Sequence, residues 1–110
     1  MVANPQLENG YTRLANSILE ALYQAAPRLS GTEVAAILFI VRSTYGWKRK
    51  EVDISIMCLA QELGVTKKQA KYVLDELINR HKILIQINPP KGTLPRRVAF
   101  NKDYDSWRTT

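Results

Sequence analysis

Lys67, Lys68, Gln69, Lys71 and Tyr72 crowd one short stretch of the chain, directly after Thr66. Lysine and glutamine can hydrogen-bond base edges, lysine can also neutralise phosphate, and the N–H groups of a helix start attract phosphate. Two more basic groups stand elsewhere: Lys48, Arg49 and Lys50 with Arg42, and Lys91 with Arg96 and Arg97. Thr66, Lys67, Lys68, Gln69, Lys71, Tyr72, Lys48, Arg49, Lys50, Lys91, Arg96 and Arg97 are therefore the candidate DNA contacts. The chemistry they offer is polyanion binding. No phosphate-binding glycine loop with its lysine, no nucleophile beside a base and no clustered metal ligands are legible. Neither an enzyme nor a catalytic, cofactor or metal site is expected. Cys58 and His81 are the sole cysteine and histidine. They permit no internal disulfide and no cysteine-based zinc cluster. Cys58 is expected as a small, half-buried side chain with no base to activate it.

Charge supports a polyanion surface. The chain of 110 residues carries +6 overall, with a pI near 9.7. Residues 1–34 hold a net −1, so the remainder carries +7. Such asymmetry suits one face turned toward nucleic acid, although lysine and arginine also keep small proteins soluble. The longest apolar run, Val34 to Val41, is far short of the roughly twenty residues of a membrane span. There is no secretory signal at the start. A reducing, cytoplasmic setting on DNA in a bacterial cell, with no membrane partner, is the expectation.

These side chains need elements to hold them. Residues 1–11 read as an extended arm, and residues 12–110 as one domain. A first helix is expected from Thr12, as N-cap, to about Ala26, with Leu14, Ala15, Ile18, Leu19 and Leu22 facing a core. Ser30-Gly31-Thr32-Glu33 is a capping box for a second helix, about 31–43. Its apolar residues run almost all round, so it should be central and buried. Tyr45-Gly46-Trp47 ends it, with Trp47 anchored in the core. Val52-Asp53-Ile54 is a short β-like segment. Ser55 caps a third helix, about 56–63. Thr66 and Gln69 form a second capping box for a fourth helix, to about Arg80. Ile83 to Asn88 and Val98 to Asn101 are expected to pair as strands across the loop from Pro89 to Pro95.

Helices three and four, separated by Gly64-Val65-Thr66, have the form of a helix-turn-helix. Ala60 suits a close crossing, Gly64 a positive φ, Val65 a plug in the turn, and Ala70 and Val73 packing back on the partner helix. On the fourth helix Ala70, Val73, Leu74, Leu77 and Ile78 share one side, and Lys68, Tyr72, Asp75 and Asn79 the other. The fold class is thus mostly α with a small β-hairpin, a winged helix-turn-helix. The basic hairpin loop is its wing, suited to phosphate or the minor groove.

Several runs resemble the N-terminal, origin-binding domain of the bacteriophage replication protein O family. They are Asn4-Pro5-Gln6, Glu8 to Asn16, Leu19 to Leu22, Leu29-Ser30-Gly31 with Glu33, Arg42, Thr44 to Trp47, Arg49-Lys50, Asp53, Ser55, Leu59-Ala60 and Asn101 to Trp107. The resemblance implies a phage or prophage replication initiator that binds repeated double-stranded origin sites, as a homodimer on DNA. It also implies helicase-loading proteins as partners through a further C-terminal region, absent here. Residues 5–26, poor in basic charge, are the candidate dimer surface. Sequence physics by itself also allows a winged-helix transcriptional regulator or a protein-interaction module.

Overall fold

A computed structural model describes residues 10–88 and 95–108. Most of the expected arm, the loop tip from Pro89 to Leu94 and Lys91 within it lie outside the described residues. The elements are α1 (Asn16–Ala25), α2 (Gly31–Thr44), β1 (Glu51–Ile54), α3 (Ile56–Leu63), α4 (Lys67–Asp75), β2 (Leu84–Gln86) and β3 (Arg96–Phe100).

Local chemistry sets most helix ends. At α2 the capping box is complete: the Ser30 hydroxyl accepts from the Glu33 N–H at 3.1 Å, and Glu33 Oε1 accepts from the Ser30 N–H at 2.9 Å. Ser55 caps α3 by accepting from the Cys58 N–H at 2.9 Å. Gly64 ends α3 with φ 68°, where a side chain would be strained. Its N–H donates to Gln61, and the Val65 N–H donates to Ala60. That pair of bonds is the Schellman arrangement, with Val65 half-buried beside the helix end. Thr66 then accepts from the Gln69 N–H at 3.1 Å and starts α4. The second box is only half formed, because the Gln69 amide turns away from the cap and donates to Thr32 Oγ1.

Other expectations need correction. The first helix starts at Asn16, with Ala15 at the cap position and no side-chain cap; Thr12 precedes it. Ile18 and Leu22 point into the core four residues apart, which rotates Leu19 out to 46% exposure and leaves Ala15 exposed. The second helix is not buried all round. Ala36, Ile37, Ile40, Val41 and Thr44 face inward, while Leu38 is 63% exposed. Its neighbours cover one side only. The fourth helix is α-helical only to Asp75 and continues to Arg80 as a wider π turn. The strands are Leu84–Gln86 and Arg96–Phe100, displaced from the expected bounds.

The expected hairpin is part of a three-stranded antiparallel sheet in the order β1-β3-β2. Glu51 pairs with Ala99 and Ile54 with Arg96, while Leu84 pairs with Phe100 and Gln86 with Val98. One sheet face, with Ile54, Leu84, Val98 and Phe100, closes the core formed by α1 to α4. Leu59, Leu74, Leu77 and Ile40 are fully enclosed there. The chain end folds back: the Trp107 indole N–H donates to the Asn101 carbonyl oxygen at 2.8 Å, and the ring meets Tyr104 edge-on. The protein is mostly helical with a small sheet, an order compatible with a winged helix.

Candidate nucleic-acid interface

α4 presents its polar side because its other side is fully occupied. Ala70, Val73 and Leu74 are buried against α2 and α3, with Ala60 buried at the crossing. Thr66, Lys67, Lys68, Gln69, Lys71 and Tyr72 are consequently all exposed together, Tyr72 at 60%. Lys67 and Lys68 have no carboxylate partner among the described residues. Lys71 holds Asp75 at 3.1 Å, an exposed pair worth little to stability. With the Gln69 N–H taken by the Thr66 cap, the positive end of the helix dipole lies beside Lys67 and Lys68, a setting that favours anions.

Asp75 joins this helix to the sheet. Its other carboxylate oxygen accepts from Arg96 Nη1, and the Arg96 side chain is 13% exposed. Burial pushes the Asp75 carboxyl up, but Arg96 and Lys71 outweigh that and hold it below the ordinary value. Arg97 lies on the other sheet face. It donates from Nε to Glu51 at 2.9 Å and from Nη1 to Asp53 at 3.2 Å, and remains half exposed. Of the two arginines at the start of β3, then, Arg96 is turned inward onto Asp75 and Arg97 is shared by Glu51 and Asp53. Asn88 clamps the base of the loop: its Oδ1 accepts from the Arg97 N–H at 2.8 Å, and its Nδ2 donates to the Pro95 carbonyl oxygen at 3.1 Å.

Lys48, Arg49 and Lys50 are exposed, but in a different place. They precede Glu51, which pairs with Ala99, so they stand beyond the sheet end opposite Arg96. The Gln69 amide lies against Thr32 at the start of α2, whereas this turn follows the end of α2. With 14 residues, α2 separates its two ends by about 20 Å. The fold therefore brings α4 and the start of β3 together and leaves the 48–50 turn apart. Trp47 is not anchored in the core; it is 62% exposed, with the Arg42 guanidinium 5.3 Å from its ring centroid. The inward position is taken instead by Tyr45, which stacks on Phe100. Cys58 is exposed rather than half-buried, since Leu59 and Ala60 occupy the inward side of α3.

One cluster escaped the sequence reading. Glu33, Glu76 and His81 bring potential metal-donor atoms within 4.8 Å of one another. Their atoms are already engaged: Glu33 with Ser30 and His81, Glu76 with Arg80, and His81 Nδ1 with the Arg108 carbonyl oxygen at 2.9 Å. The group acts as a tie between α2, the π turn and the chain end. Nothing local in the sequence links positions so far apart.

No described helix is long and apolar enough to cross a membrane. Residues 3–107 match the family described as bacteriophage replication protein O. The chain is 30% identical over 104 residues to the DNA replication protein gp18 of Salmonella phage P22, covering 94% of this chain and 35% of that protein. It is 30% identical over 101 residues to replication protein 15 of Enterobacteria phage phi80, covering 92% and 32%. It thus spans about a third of these curated relatives. No solved structure matches it significantly. With nearly its whole length matched, the chain belongs to the bacteriophage replication protein O family.

Proposed function

We propose that this chain is a winged-helix domain that binds double-stranded DNA site-specifically and serves phage or prophage replication by recognising repeated origin sites. The observation that carries the reading is the exposed Thr66–Tyr72 face on a helix whose opposite side is wholly committed to the core. Lys67, Lys68, Gln69 and Lys71 suit major-groove edges and phosphates. The hairpin base, with Arg97 half exposed, suits adjacent phosphates. Kinship with phage replication proteins supports the replication role.

Two copies are proposed on DNA, because one recognition helix and one wing give a small footprint. Leu19 and Tyr23, one helical turn apart on α1, are 46% and 60% exposed and offer an apolar contact for the second copy. Selection of bound duplexes from a random pool, followed by affinity measurement over a salt series, tests the reading. Repeated half-sites at fixed spacing are expected, with affinity falling as salt rises. Failure to enrich any duplex sequence would sink it, and a single isolated operator would favour a transcriptional regulator.

A further inference from the structure

The Tyr45–Lys50 turn meets the segment Gly10–Arg13 across a cleft of about 640 Å³, lined by Tyr11, Arg13, Tyr45, Lys48, Arg49 and Lys50 together with two glycines. An adjoining hollow adds Thr12, Arg42 and Trp47. Among the described residues, no acidic side chain lines either. We propose that this cleft binds single-stranded DNA, on a surface separate from the α4 face.

Three observations converge on that occupant. First, the cations have no carboxylate partner among the described residues, so their field is open to a phosphate backbone. Second, large aromatic rings stand exposed among them, Tyr11 at 57% and Trp47 at 62%. A duplex hides its base faces in the stack and would leave these rings unused. A single strand offers a face at every base, and a groove of cations with interleaved aromatics is the pattern that holds one. Third, the cleft is built. A Cβ on Gly46 would lie 2.9 Å from Arg42 Nη1 and 3.1 Å from Thr12 Oγ1, so the bare glycine lets Thr12 and Arg42 close on the turn. Arg42 in turn lies over the Trp47 ring and holds it in a stacking-ready position.

The location fits a second strand-binding role. The cleft lies beyond the end of β1 opposite Arg96, at the far end of α2 from Gln69. A duplex seated on α4 would leave it free. The proposal does not depend on the duplex reading, and the test separates the two.

Anisotropy of labelled oligo(dT) of about 12 nucleotides, a length within one single-strand site, is measured beside a duplex from the selection and beside polyglutamate. The wild-type chain should bind oligo(dT) with quenching of tryptophan emission. Trp47→Ala should weaken oligo(dT) binding at least about five-fold, as expected for one lost base stack, with duplex binding unchanged. Lys48→Ala with Lys50→Ala should weaken oligo(dT) and flatten its salt dependence. Lys68→Ala with Lys71→Ala should weaken the duplex and leave oligo(dT) untouched. All these side chains are exposed, and circular dichroism melting checks that each variant folds. The proposal is overturned by absence of oligo(dT) binding at low salt. Equal loss of both DNAs in Trp47→Ala would also overturn it, as would polyglutamate binding as tightly as oligo(dT). A chain that binds no duplex but behaves as stated toward oligo(dT) would overturn only the duplex reading.

Discussion

Glu33 and His81, 48 positions apart, meet at 2.7 Å between Oε2 and Nε2. The same Glu33 closes the capping box of α2 through Oε1, and His81 ends the π turn that follows α4. Through this contact the start of α2 is tied to the π turn at the far end of α4. The Arg108 carbonyl oxygen against Nδ1 adds the chain end to the tie.

Stability should therefore depend on acid in a particular direction. Burial pushes the Glu33 carboxyl up, but the Ser30 backbone N–H, the Ser30 side chain and His81 outweigh it and hold it below the ordinary carboxylate value. A carboxyl lowered in the folded state contributes stability that is fully present above its unfolded value. That contribution is lost as pH falls through the folded value. Urea midpoints measured from neutral pH to pH 3 should fall less steeply for Glu33→Gln than for the wild type. Glu33→Ala should cost about 1.5–3 kcal/mol near neutrality, where a charge-assisted bond is lost. Superimposable pH profiles would show that the contact carries no linkage.

Lys68→Ala with Lys71→Ala should weaken duplex binding and leave folding intact, since both side chains are exposed and point away from the core. Where either lysine reads a guanine, the loss should be about 1–3 kcal/mol per contact and confined to one base position. Unchanged duplex affinity in the folded double variant would remove α4 from the interface.

The two wing arginines should behave differently. Arg97→Ala should lower the magnitude of the log-affinity against log-salt slope by about 0.9 where Arg97 meets a phosphate. Arg96→Ala should keep that slope and lower the urea midpoint, because it strips Asp75 of its less exposed partner. An altered slope for Arg96→Ala with normal stability would reverse these roles.

Gly64→Ala should cost about 1–2 kcal/mol, the penalty of an L side chain in the left-handed region. A Cβ there meets nothing within 4 Å, so the cost is backbone strain with no clash. Gly64→Asn should cost less, as asparagine tolerates that region. Denaturant titration of both variants checks the order, and equal stability of Gly64→Ala and the wild type would contradict it.

Sedimentation with a duplex carrying two half-sites should give a 2:1 complex. Moving the half-sites by half a helical turn should remove cooperativity. Tyr23→Glu, at an exposed position on α1, should do the same without reducing affinity for one half-site. A strict 1:1 complex with no spacing dependence would exclude the pairing.

Much of the molecule follows from interactions between residues close in the chain. Ser30 with Glu33, Ser55 with Cys58, Thr66 with Gln69 and the Gly64 turn all form within a few positions, so residue type and spacing were enough to place them. The two-sided pattern of α4 is equally local, because a 100° step per residue fixes which side chains share a face. Tertiary structure decided what the faces meet. Leu19, Leu38 and Trp47 are apolar yet exposed, because α1, α2 and the turn after α2 are each covered on one side only. The β1 segment became a strand because β3 was there to pair with it, with Glu51 facing Ala99. The Gln69 side-chain amide reaches Thr32 instead of closing the box, and Arg96 left the solvent for Asp75, both long-range contacts that periodicity cannot encode. The sequence separates the basic residues into three groups along the chain but does not say which of them share a surface. Their division into an α4 face and a separate cleft at the opposite sheet end came from strand register and helix length, through which the packed core holds Lys48–Lys50 away from Lys67–Lys71.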